Sequence, residues 1–91
     1  MATRSASAYH WAMAEIIYLS AGQSAPERDE WLLLEEGDDG LFTTRSQHMM
    51  GAVMRHDHPE GKWPLKEAIE KAQVDAAEFT IPVIYVRRAD A

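Results

Sequence analysis

The last third of the chain constrains the fold most. Over residues 64–79, Leu65, Ala68, Ile69, Ala72 and Ala76 fall at helical spacing on one face. Pro64 suits a first helical position, and Glu67 precedes Lys71 by four residues in the favourable order. Residues 80–87 read Thr-Ile-Pro-Val-Ile-Tyr-Val-Arg, β-branched and aromatic, which predicts a strand. Pro82 removes one ladder donor and places that part near a sheet edge or at the strand's start. Residues 81–86 are apolar on both faces, which suits a central strand or pairing with another copy of the chain. A homodimer is therefore one expectation.

Upstream, residues 30–36 are apolar in the middle and charged at both ends, as a second strand would be. Gly37-Asp38-Asp39-Gly40 follows as a tight turn, since Asp and Gly tolerate positive φ. Residues 9–20 fit a strand or a helix. As a strand, Trp11, Met13, Ile17 and Leu19 share a face with Glu15 as the exception; as a helix, Ala12, Ile16 and Leu19 form a stripe. The aromatic and β-branched second half favours strand. Thr44-Arg45-Ser46-Gln47 matches a capping box and predicts a helix over 45–55, with Met49, Ala52 and Val53 inward and Pro59 forcing the chain out. The expected fold is α+β: one small domain, β-β-α-α-β, with a three-stranded, mainly antiparallel sheet and two helices packed on one face. Residues 9–88 form that domain, residues 1–8 a flexible N-terminal tail and residues 89–91 a C-terminal tail.

Ninety-one residues suffice for a single core, and 46% hydrophobic with 26% charged residues are globular values. No cysteine is present, which excludes disulfides and thiolate chemistry and favours a cytoplasmic location. No stretch has the length of a membrane span. The net charge of −6 argues against direct binding to nucleic acid or to an anionic membrane.

That charge is not spread evenly. Glu27, Asp29, Glu30, Glu35, Glu36, Asp38 and Asp39 are opposed only by Arg28, so this segment carries the whole excess. The acids can serve to keep a strand and its turn soluble. As a docking surface, with Trp31 and Trp63 as nearby aromatic anchors, they would steer a protein partner with a basic surface. His56-Asp57-His58 is the one cluster with metal-ligand character: in an extended segment the two histidines project to one side. His48, eight residues earlier, would lie too far away along an intact helix. Ser5, Ser7, Ser20, Ser24 and Ser46 lack a nucleophile-elbow context, and no Gly-rich phosphate loop occurs. The expectation is a non-enzymatic protein-interaction module without a cofactor, with a small metal-binding protein or a structural homodimer as alternatives. Short, acidic and free of motifs, the chain is similar in type to small accessory proteins of phages and conjugative elements. Some of these, anti-CRISPR inhibitors among them, block nucleic-acid machines by covering a basic surface.

Overall fold

The structure, a computed structural model, describes residues 13–49 and 52–89, with residues 58–60 described by their backbone alone. Five strands and one helix follow in the order β1 (Glu15–Tyr18), β2 (Trp31–Glu36), β3 (Phe42–Met49), β4 (Val53–Trp63), α1 (Leu65–Phe79) and β5 (Val83–Arg87). The strands form one sheet in the order β1-β5-β2-β3-β4. β5 is parallel to both β1 and β2, whereas β3 is antiparallel to β2 and β4. Only β3 runs against the other four.

This corrects the expected three-stranded sheet with two helices. The described part of residues 45–55 is not helical: residues 45–49 belong to β3 and residues 53–55 to β4. The capping-box pattern at Thr44 and Gln47 is real in sequence, but a stripe of Met49, Ala52 and Val53 offers a helix little apolar surface to bury. As a strand, β3 has both edges satisfied, by β2 on one side and β4 on the other. That pairing outweighs a weak local helical preference. Pro59 does not end the element either. It lies within β4, at the outer edge of the sheet, where a missing amide donor is tolerated.

The other elements follow the sequence closely. Residues 30–36 contain β2, residues 64–79 contain α1, and the described part of residues 9–20 contains β1 as a strand. The tails expected at residues 1–8 and 89–91 fall outside the described residues, apart from Ala89. The β2–β3 turn closes with Gly37 N–H donating to the Leu41 carbonyl (2.9 Å) and Gly40 N–H to the Gly37 carbonyl (3.0 Å). Gly40 takes a positive φ of 78°, which a side chain would disfavour. β5 begins after Pro82 and is interior, which explains its apolar character on both faces.

Side chains alternate between the two faces of the sheet. Leu32, Leu34, Ile84, Val86 and Phe42 point to the helix side and pack with Ala68, Ala72 and Ala76 of α1. The three alanines present a smooth flank, so the helix lies close to the sheet. Leu34, Ile84 and Val86 are 0% exposed, and each contributes about 1.5–3 kcal/mol by burial. Gln73 of α1 clamps the approach to β1: its amide nitrogen donates to the Ala14 carbonyl (3.0 Å), and its amide oxygen accepts from Ala14 N–H (2.8 Å). α1 ends at Thr80, in the left-handed region at φ 57°, with Ile81 N–H donating to the Ala76 carbonyl (2.8 Å).

The opposite face has a smaller cluster of Leu19, Trp31 and Leu33, with Ala25, Val83 and Tyr85 packed against it. The β1–β2 connection crosses this face and roofs Trp31, whose indole N–H donates to the Pro26 carbonyl (2.7 Å). The roof covers part of the sheet only. No described helix is long and apolar enough to cross a membrane.

Candidate functional site

The acidic segment does not form one patch. β2 lies inside it and separates its ends by about 17–20 Å. At the far end of β2, the Arg88 Nε lies 3.9 Å from a Glu36 oxygen that also accepts Ala89 N–H (2.9 Å). Asp39 accepts Leu41 N–H (3.1 Å) and pairs with Lys62 (3.3 Å). The Leu41 amide and then the Lys62 ammonium hold the Asp39 carboxyl below the usual carboxylate range. Asp38 shares this turn with no cationic partner among the described residues. In the middle, Glu35 lies between Arg45 (4.0 Å) and Arg87 (3.9 Å) on the open face.

The near end of β2 is different. Glu27, Asp29 and Glu30 have no cationic partner among the described residues, and Glu30 accepts the Met49 amide at 3.0 Å. β1, β2, β4 and β5 all start at this end, while β3 and α1 finish there. Topology therefore brings Met13, Met54 and Phe79 to the same rim, and they are 62%, 43% and 56% exposed. Arg28, Asp29, Glu30, Met49, Pro82 and Val83 line an open hollow there of about 470 Å³. Carboxylates and exposed apolar side chains thus share one end of the sheet, with Met13 at its β1 edge and Met54 at its β4 edge.

Neither tryptophan expected as an anchor is a free surface residue. Trp31 is 4% exposed and meets Tyr85 edge-on at 6.5 Å. Trp63 is half-buried beside the core, with the Lys71 ammonium 4.8 Å from its ring centre. A Cβ on Gly61 would collide with the Trp63 ring, so that glycine makes room for it.

The histidine cluster is rearranged by the strand. His56 and Asp57 occupy successive positions of β4 and point to opposite faces. Asp57 turns to Arg45, accepting its Nε–H at 2.5 Å; that bond raises the guanidinium's already high pKa. His56 instead meets His48 across the strand pair, with ring centres 6.0 Å apart, and His48 meets Phe79 at 5.8 Å. His48, too distant had residues 45–55 been helical, thus replaces Asp57 as the neighbour of His56. The backbone of His58 pairs with Thr44. No group of three potential ligands is placed to hold a metal ion among the described residues.

The open face also carries residues whose importance the sequence did not signal. Gln47 is 0% exposed. Its amide nitrogen donates to the carbonyls of Asp29 (2.8 Å), Glu27 (3.0 Å) and Pro26 (3.3 Å). Its oxygen accepts the Arg55 Nε–H at 2.6 Å. One buried amide thus fastens the acidic loop to the sheet and orients an arginine. A polar residue at a strand position gives no sequence cue to this role.

Compared with known proteins, the chain matches no family model, no curated protein and no solved structure.

Proposed function

We propose that this chain is a non-enzymatic protein-interaction module that docks, through the rim at the start of β2, on a partner with a basic surface. The observation that carries the reading is that Asp29 and Glu30, without cationic partners among the described residues, line an open hollow with Met49, Pro82 and Val83, at the end of the sheet where Glu27 and the exposed Met54 and Phe79 also lie. Carboxylates steer a cationic surface into encounter, and flexible methionine and aromatic side chains supply contact area. The acids of the β2–β3 turn contribute less, because Glu36 and Asp39 are engaged by Arg88 and Lys62. A basic surface of the kind that holds nucleic acid fits the charge of this module, and covering it would make the chain an inhibitor of that partner.

The homodimer expectation loses its starting point, since β5 is paired on both edges within the subunit. The test is capture from host extract at matched ionic strength by the native chain and by a Glu27→Gln, Asp29→Asn, Glu30→Gln variant. The native chain retains a basic partner that the variant loses and that added salt releases. Equal retention of the same proteins by both would refute the rim as the docking surface.

A further inference from the structure

A second site on the open face has a different chemistry. Arg45, Arg55 and Arg87, from β3, β4 and β5, line a hollow of about 270 Å³ together with Glu27, Glu35 and Trp31. Three guanidinium groups converge here in a chain of net charge −6. Two are already engaged. Arg45 donates to Asp57 and lies near Glu35; Arg87 lies near Glu35 and donates to the Gln23 carbonyl at 2.7 Å.

Arg55 is held differently. Its Nε–H is spent on Gln47, and its terminal nitrogens have no acceptor among the described residues. The orientation of Gln47 is fixed, because three carbonyls face its nitrogen and leave its oxygen to Arg55. A fork anchored at Nε by a fully buried amide is pre-organised, so little side-chain freedom remains to be lost when an anion binds.

We propose that this hollow binds a small organic monocarboxylate, its carboxylate on the terminal nitrogens of Arg55 and its apolar body toward Trp31. The lining charge selects the class. With Arg45 paired to Asp57, Arg55 and Arg87 stand against Glu27 and Glu35, so the hollow holds no surplus positive charge and only the free end of Arg55 is left for a single carboxylate. A phosphate dianion would bring uncompensated charge against those two carboxylates. The hollow shares Glu27 with the docking rim, whereas Asp29 and Glu30 belong to the rim alone and Arg55 is absent from the hollow at that rim.

The test uses the isotopically labelled full chain titrated with benzoate at constant ionic strength, following the Trp31 indole N–H and the arginine Nε–H resonances. Saturable shifts at both are expected with benzoate. Arg55→Gln weakens binding about tenfold or more, the value of a charge-assisted hydrogen bond. Arg55→Lys also binds weakly, lacking the planar fork. Arg88→Gln, outside the hollow, leaves affinity unchanged. Glu27→Gln tightens benzoate binding, a readout that survives if the Arg55 variants misfold. Shifts that never saturate, equal affinity in a folded Arg55→Gln chain, or inorganic phosphate binding as tightly as benzoate would each overturn the proposal. Capture of a basic partner at the rim is judged separately with Asp29→Asn, Glu30→Gln, two residues that do not line this hollow.

Discussion

Replacing Gln47 by methionine isolates what one buried amide does. Methionine has nearly the same length and volume, so the change removes hydrogen bonds without opening a cavity. The amide nitrogen carries two hydrogens and faces three carbonyls at 2.8, 3.0 and 3.3 Å, so about two full bonds are lost. Each such bond is worth about 1 kcal/mol net, rising toward 3 kcal/mol where the abandoned carbonyl cannot reach water. The bond from Arg55 adds little to this loss, because Arg55 is exposed and its Nε–H can turn to solvent. The apolar side chain recovers about 1 kcal/mol by burial. A net loss of about 2–3 kcal/mol is expected, which lowers Tm by about 8–24 °C in a domain this size. Urea unfolding followed by tryptophan fluorescence and by circular dichroism measures it, with the slope against denaturant unchanged. Hydrogen exchange should quicken over residues 26–30, the segment that Gln47 fastens. A loss below about 0.5 kcal/mol would refute the reasoning, because those carbonyls would then have other partners.

Two further outcomes follow from single residues. Thr80 is β-branched yet sits at φ 57°, so Thr80→Gly should raise stability by about 0.5–1 kcal/mol in urea unfolding despite glycine's greater freedom when unfolded. The lowered pKa of Asp39 means that its contribution is fully present above the ordinary carboxylate pKa and is lost as pH falls through the lowered value. Urea midpoints of the native chain and of Asp39→Asn should therefore differ at about pH 6 and draw together as pH falls below the ordinary carboxylate range. A gap that persists in acid would assign the effect to something other than the carboxylate.

What could be read from sequence was local. The Leu65-to-Ala76 stripe, the apolar run of β5 and the Gly37–Gly40 turn each carry their own signature, and each forms where expected. The β3–β4 pair carries none. Thr43, Arg45 and Gln47 on one face of β3, and Thr44, Ser46 and His48 on the other, are all polar, so no period-two alternation marks a strand. Only neighbours distant in sequence decide that Ser46 and Gln47 are buried. The same cause hid the sites. Charge counting found the acids, but Arg45, Arg87, Arg88 and Lys62 reach them through strand pairing, and that is what divides the segment into neutralised and free portions.

The central place of β5 has a consequence for assembly. β1 pairs with β5 alone, so within the sheet β5 joins it to the other strands. During synthesis β1, the β2–β3–β4 meander and α1 all emerge before β5 does. Until then the edges of β1 and β2 that β5 fills have no partner within the sheet. The final strand slots between two waiting edges, and with it the two halves become one cooperative unit.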